Sequence, residues 1–392
     1  MNDPTTQNYD QIAQEYLKSL APSREEVDTF LETPEGDGWL SRNRGVTHDS
    51  DLGWVHADAF LNDGVEKSGC QYNYDRSDGA RLSINFPDRD CRIHTYGDSF
   101  THCDQVSNGE TWQEHLAAHL QEPIRNYGVG GFSVYQAYLR MRKVERDHPS
   151  ENIILNIYDH DHARNLVRFW AIYFGQRVRC GFTCPHLRVN VNAGTFETFE
   201  NPLSRPEEVY QLCDPDYLLE SSLNDPTLPV ALDRHDHLNP SPELVEQVSE
   251  QFGVSTELAS GHEPDQAITT LFREAGLYAT RCVMEMVESF VNKTNKNLMV
   301  ILSHNPRTVQ EALEGQPRRD QTFLDFIHGR GYPVIDMRDA FIADHATTNL
   351  NAAEYLRCYY NGHHNPAGNF FTAWTIREAV VDLLEPKPRP YL

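Results

Sequence analysis

Ser99 lies in the stretch HTYGDSFTHC (94–103), where an apolar segment leads into a Gly-Asp-Ser turn. A serine hydroxyl is a weak nucleophile until a neighbouring base takes its proton. Attack on a carbonyl group also requires donors for the oxyanion that forms. The stretch therefore suggests nucleophilic catalysis by Ser99, and the alternative is a strand that ends in a polar turn.

The chain around this stretch alternates between strands and helices. Strands are predicted at 92–97, 123–128, 152–158, 297–303 and 332–337. Amphipathic helices are predicted between them and at 366–384. This alternation is typical of parallel strands with right-handed crossovers. It predicts the α/β class: a three-layer α/β/α sandwich around a five-stranded, mainly parallel sheet of the flavodoxin-like type.

Polar residues follow each predicted strand, where a sheet of this type binds its ligands. His363 is the predicted base for Ser99, because its loop lies beside the first strand in this topology. For Asp98, stabilisation of its own turn is a simpler role than a part in the chemistry. The predicted substrate-binding side chains are Asp98, His102, His162, His304 and His364.

Three of these strand ends resemble the blocks of SGNH hydrolases, the GDSL esterase/lipase superfamily. The matching stretches are GDSF (97–100), NYGVGG (126–131) and NGHHNPAG (361–368), and the resemblance spans about 92–165 and 297–384. It implies hydrolysis of an ester, or acyl transfer, through an acyl-Ser99 intermediate. His363 would act as general base and then acid, Gly131 would lend its N–H to the oxyanion, and no cofactor would be needed.

Two positions depart from the family pattern. His160 stands where the third block has an Asn that donates to the oxyanion, and Asn361 stands where the last block has an Asp. We expect His160 to take over the oxyanion role and Asn361 to orient His363 without a charge. Alternatively, another carboxylate can supply a negative charge beside His363, and Asp336 and Asp339 are the nearest by sequence.

The departures leave alternative functions open. The site is either a hydrolase or a rebuilt site for a lyase-like acid–base reaction that uses His160 and His363, or the chain is a binding protein. The many His residues near the strand ends, two of which alternate with Asp159 and Asp161 in the stretch DHDH, also allow a catalytic metal. SGNH enzymes generally need none, so no metal or other cofactor is expected.

Composition narrows the partners and the organisation. The 392 residues carry 58 acidic and 34 basic side chains, a net charge of -24, which disfavours nucleic acid and anionic membranes. A small-molecule substrate and a cytoplasmic location are expected, since neither a signal peptide nor a membrane span is visible. The predicted organisation is an N-terminal extension (1–90), an SGNH-type α/β domain (91–170 and 266–392) and an insertion or lid (171–265) that shapes the substrate pocket.

Overall fold

A computed structural model describes residues 4–31, 45–179, 181–238 and 240–392. The helices are α1 Pro4–Leu20, α2 Arg24–Leu31, α3 Ser99–His102, α4 Trp112–Leu120, α5 Val134–Asp147, α6 Asp161–Arg164, α7 Trp170–Phe174, α8 Pro206–Val209, α9 Pro215–Ser222, α10 Thr227–Arg234, α11 Pro242–Phe252, α12 Pro264–Lys293, α13 Pro306–Leu313, α14 Gln321–Ile327, α15 Met337–His345, α16 Ala352–Tyr359 and α17 Pro366–Leu383. The strands are β1 Val46–Asp49, β2 Gly53–His56, β3 Ala59–Leu61, β4 Cys70–Tyr72, β5 Ile93–Tyr96, β6 Arg125–Asn126, β7 Asn152–Tyr158, β8 His186–Asn190, β9 Thr195–Phe199, β10 Asn297–Ser303, β11 Val334–Asp336, β12 Tyr360–Asn361 and β13 His363–His364. Part of the predicted N-terminal extension, residues 1–3 and 32–44, lies outside the described residues.

The described residues form two compact units. The larger one comprises residue 45, 56–161 and 283–392. The smaller one comprises 4–31, 46–55 and 162–282. The smaller unit thus combines most of the predicted insertion with two segments of the predicted N-terminal extension, and the domain boundaries given above stay a prediction.

The larger unit is built on a five-stranded sheet in the order β11-β10-β7-β5-β6. Every neighbouring pair is parallel, and β7 pairs with β10 along seven residues, from Asn152 opposite Asn297 to Tyr158 opposite Ser303. In chain order the strands are arranged 2-1-3-4-5, the flavodoxin-like order, which places the switch point between β5 and β7. The predicted fold class is confirmed.

Side-chain alternation along the strands buries both faces of the sheet. Ile93, Ile154 and Met299 face one core cluster, which includes Trp112 of α4 and Ile376 of α17. On the opposite face of β5, His94 and Tyr96 hydrogen-bond to Glu145 of α5. Successive residues of a strand point to opposite faces, so helices cover both faces and the three-layer sandwich follows.

Capping residues fix where the helices beside the site begin. Ser133 and Gln136 form a reciprocal capping box at the start of α5. Asn365 accepts a hydrogen bond from the Gly368 N–H, and Pro366 occupies the first turn of α17. These are the residue types that satisfy free N–H groups at a helix start. They set the position of the loops that precede α5 and α17.

The smaller unit has its own aromatic core. Trp54 stacks on Phe182 with ring centroids 4.3 Å apart and meets Trp170 edge-on. Tyr173 is also buried in this unit. None of the described helices in either unit is long and apolar enough to cross a bilayer.

Candidate active site

Ser99 and His363 are joined by a hydrogen bond in the larger unit. The Ser99 Oγ lies 2.9 Å from the His363 Nε2, although 264 positions separate the two residues in the chain. Ser99 is buried, and His363 retains about a third of its side-chain exposure, at 31%. A hydroxyl within hydrogen-bond distance of an imidazole nitrogen can transfer its proton to that nitrogen.

The turn after β5 aims Ser99 at this histidine. Asp98 caps the short helix α3, because its Oδ1 accepts a hydrogen bond from the Phe100 N–H at 2.9 Å. Its Oδ2 lies 3.2 Å from the Ser99 Oγ. Asp98 thus stabilises the turn, the simpler of its two predicted roles, and its carboxylate also contacts the nucleophile.

Gln105 occupies the place that the sequence prediction gave to Asn361. The Gln105 Oε1 accepts hydrogen bonds from the His363 backbone N–H at 2.8 Å and from its Nδ1–H at 3.2 Å. The Asn361 amide points elsewhere, toward the backbone oxygen of Asp63. The donation from Nδ1 leaves Nε2 as the acceptor for the Ser99 proton.

Glycine at position 362 makes room for this contact. Gly362 has φ +87°, and a Cβ there would lie 2.8 Å from the Gln105 Oε1. A side chain would therefore meet both backbone strain and the amide that orients His363. The contact with Gln105, a residue that the sequence prediction did not consider, explains why position 362 is a glycine.

A second hydrogen-bonded chain begins at Asp104. Its Oδ1 accepts a short hydrogen bond from the His102 Nδ1–H, and the His102 Nε2 accepts from the Tyr74 hydroxyl at 2.5 Å. Burial lowers the pKa of His102, against the opposing effect of Asp104, and burial raises the pKa of Tyr74. His102, predicted to bind substrate, is therefore a neutral, buried group that supports Asp104.

His56 packs on this chain. Its ring stacks on His102 at a centroid distance of 4.0 Å. Its Nδ1 donates to the Gly45 carbonyl at 3.1 Å, and its Nε2 accepts from the Gly130 N–H at 2.8 Å. Burial lowers the pKa of His56 well below its usual range. Both ring nitrogens of this neutral imidazole are thus engaged within the protein.

The same residues also carry atoms that can ligate a metal ion. Among the described residues, His56, His102 and Asp104 are the group whose ligand atoms all lie within 4.8 Å of one another. Each ring nitrogen in the group already has a hydrogen-bond partner. A cation bound here would have to displace those partners, so the group fits a hydrogen-bonded support better than a metal centre.

Two backbone donors remain for an oxyanion. Within the described part of the chain, the N–H groups of Ser99 and Gly131 have no hydrogen-bond acceptor. Gly131 is buried and has φ +86°, which favours glycine. An uncommitted buried N–H is costly unless a ligand meets it. Gly131 is the backbone donor that the sequence prediction assigned to the oxyanion.

His160, predicted as a third donor, is set in a different environment. Half of its side chain is exposed, and its Nε2 accepts from the Asn305 amide at 3.3 Å. Its ring also meets Tyr158. These contacts hold His160 beside α13, and an exposed imidazole lacks the preorganised, water-excluded setting that makes an oxyanion donor effective.

Asp336 and Asp339 do not support His363. The Asp336 carboxylate pairs with the His304 Nε2 at 2.9 Å and with Arg318. Asp339 is largely exposed. Burial alone would lower the pKa of His304, but the carboxylate of Asp336, with other acidic groups nearby, raises it. Burial alone would raise the pKa of Asp336, but His304 and Arg318 lower it. His304, predicted to bind substrate, is thus half of a buried ion pair.

The remaining two predicted substrate-binding residues are also held by protein contacts. His364 is buried between Phe100 and Tyr360, and burial, with His363 and His304 nearby, lowers its pKa to about 3. His162 belongs to the smaller unit, where its Nδ1 contacts the Thr280 hydroxyl at 2.8 Å. His364 is part of the core and not a group that lines a cleft.

Asp104 and Gln105 were missed by the sequence analysis. They follow α3 directly, in the stretch THCDQ (101–105), but no familiar spacing places them opposite a histidine 258 positions away. Their position so close after the proposed nucleophile is the one signal that singles them out. Tyr74 and His56, farther upstream, carry no signal at all.

Comparison with known proteins adds little to this geometry. No protein-family profile matches the chain, and no curated protein matches it. Among solved structures, the "Structure of a putative lipolytic protein of G-D-S-L family from Desulfitobacterium hafniense DCB-2" matches with a TM-score of 0.33 and 10% identity. The match covers 75% of this chain and 100% of that one. A superposition this loose carries no weight for fold or function.

Proposed function

We propose that this chain is a serine hydrolase that transfers the acyl group of an ester to water through Ser99. The observation that carries the proposal is the 2.9 Å hydrogen bond between the Ser99 Oγ and the His363 Nε2. The sequence blocks that resemble those of SGNH hydrolases support it. The half-exposed position of His160 gives no support to the rival acid–base reaction.

The first half-reaction would form an acyl-enzyme. The Ser99 hydroxyl gives its proton to the His363 Nε2, and its Oγ bonds to the ester carbonyl carbon. The carbonyl oxygen becomes an oxyanion that the N–H groups of Ser99 and Gly131 stabilise. The intermediate collapses when the ester C–O bond breaks and the alcohol oxygen takes the proton from Nε2.

The second half-reaction would repeat these steps with water. His363 takes a proton from water, whose oxygen attacks the acyl carbon of the Ser99 ester. The carboxylic acid leaves as the Ser99 Oγ recovers its proton from Nε2. Every proton in the cycle passes through one imidazole nitrogen, which explains why the tautomer fixed by Gln105 matters.

Kinetics with 4-nitrophenyl acetate test this proposal. The wild-type chain should release a burst of 4-nitrophenol close to one equivalent, because this activated ester acylates Ser99 faster than the acyl-enzyme is hydrolysed. Ser99→Ala should lower kcat by at least about 10³-fold. Addition of a chelator should leave the rate unchanged, since no step uses a metal.

The control is Ser83→Ala. Ser83 is a buried serine whose hydroxyl has no hydrogen-bond partner in the described part of the chain, so its loss should leave turnover unchanged. Equal turnover in Ser99→Ala and the wild type would contradict the proposal.

A further inference from the structure

His363 has a neutral group at one ring nitrogen. The Gln105 amide accepts from Nδ1–H, and its own Nε2 donates to the Asp63 carbonyl at 3.1 Å. That second bond determines which end of the amide faces the histidine. Gln105 thus holds the ring in place and selects its tautomer, but it brings no charge to balance the imidazolium that forms during catalysis.

A carboxylate lies on the other side of the ring. The Asp104 Oδ2 is 4.0 Å from the His363 Nε2, while its Oδ1 is held by His102. Burial alone would raise the pKa of Asp104, but the hydrogen bond that its carboxylate accepts from His102 contributes to lowering it. Asp104 is therefore negatively charged at neutral pH.

The other titratable groups around His363 are neutral or have hydrogen-bond partners of their own. His102 and His56 are neutral, because burial lowers the pKa of each, and so is buried His364. Asp98 is tied to the cap of α3 and to the Ser99 hydroxyl. Asp63 reaches the site through its backbone oxygen, and its carboxylate accepts from Tyr72.

We propose that Asp104 is the positioning residue that stabilises the His363 imidazolium, while Gln105 sets the orientation of the ring. Two consecutive residues thus divide the two duties that a single triad carboxylate performs in other serine hydrolases. The inference rests on the proposed function. It explains how a site with Asn361 in the usual acid position retains a charge partner for its histidine.

The geometry suits this division. At 4.0 Å, two opposite charges in a partly buried site interact much more strongly than in water. The imidazolium forms only after Ser99 has released its proton, so the attraction favours the transition state over the resting state. The Tyr74–His102 chain holds Asp104 at this distance in advance and avoids reorganisation during the reaction.

The test is the pH dependence of kcat/KM for 4-nitrophenyl acetate. Asp104→Asn should lower kcat about 10- to 100-fold and move the acid limb of the profile to lower pH by about 1 unit, because an opposite charge within 4 to 6 Å favours the protonated imidazole. Gln105→Ala should lower kcat and leave the acid limb in place, since it removes orientation and no charge.

Two further variants control for folding and for net charge. Asp104→Ser keeps an acceptor for His102 and should shift the acid limb as Asp104→Asn does, which covers the case in which the asparagine variant does not fold. Glu110→Gln removes one charge from the capping box that begins at Ser107 and should leave the acid limb unchanged.

The outcomes separate this inference from the proposed function. An unshifted acid limb in Asp104→Asn and Asp104→Ser, with the wild-type burst intact, would overturn the role of Asp104 alone. Wild-type turnover that persists unchanged in Ser99→Ala would instead remove the proposed function.

Discussion

At the scale of single residues, the site is assembled from side chains that differ in how visible they are in the sequence. Ser99, Gly131 and His363 each follow a predicted strand and belong to a recognisable block. Gln105, which accepts a hydrogen bond from the His363 Nδ1–H, belongs to no recognisable block. Asn361, which was predicted at that place, bonds to the backbone oxygen of Asp63 instead. Sequence spacing identifies residues whose positions follow from the order of strands and helices. The partner of a hydrogen bond depends on differences of a few ångströms, which side-chain packing sets.

The buried pair of Asp336 and His304 gives a prediction at the same scale. Asp336→Asn should lower the free energy of unfolding by about 3–5 kcal/mol, because removal of one partner leaves buried charge uncompensated. Urea unfolding of both proteins measures the difference. Asp339→Asn, at a largely exposed position, should change the free energy by less than about 0.5 kcal/mol.

The pH dependence of that difference has a definite sign. The raised pKa of His304 adds stability that is complete below its unfolded value, about 6.5, and is lost as pH rises through the folded value. The lowered pKa of Asp336 adds stability above about 3.9 that is lost as pH falls. The gap between wild type and Asp336→Asn should therefore be largest between about pH 4 and 6.5. A gap that widens steadily above pH 7 would contradict this pairing.

At the scale of secondary-structure elements, sequence patterns predicted the central sheet well. The strand predicted at 152–158 is β7 and the one at 297–303 is β10, because uninterrupted apolar runs leave few alternatives. The strand predicted at 123–128 shortens to Arg125–Asn126 at the sheet edge. Between 171 and 265, the hairpin β8–β9 and short helices were not predicted, since elements this short take their order from packing rather than from periodicity.

The loop after α3 gives the prediction at this scale. Arg81 is buried and donates to the backbone oxygens of His102, Cys103 and Val106. Arg81→Met should leave these carbonyls unsatisfied and lower the free energy of unfolding by at least about 3 kcal/mol, at about 1–3 kcal/mol for each buried group. It should also lower kcat at least about 10-fold, because the loop carries Asp104 and Gln105.

Hydrogen–deuterium exchange localises that effect. Amides at 102–107 should exchange faster in Arg81→Met, and Arg89→Met, which alters an exposed arginine, should leave them unchanged. Unchanged exchange at 102–107 in Arg81→Met would show that the loop keeps its structure without this side chain.

At the scale of the whole molecule, the order of strands in the sheet follows from the alternation of strands and helices in the sequence. The same alternation does not show which segments of the chain belong to which of the two compact units. Residues 56–81 supply His56, Tyr74 and Arg81 to the surroundings of Ser99, although the sequence placed them in a separate extension. Their contacts reach across 20 to 75 positions to residues near Ser99 and Gly130. No periodic pattern encodes pairings over such separations.

Covalent labelling with a fluorophosphonate measures whether His363 activates Ser99. Mass spectrometry should find one adduct per chain, on Ser99, and the labelling rate should fall at least about 10³-fold in His363→Ala. His160→Asn should label at a rate close to that of the wild type. Labelling that is absent, that falls on another residue, or that proceeds equally fast in His363→Ala would contradict the account.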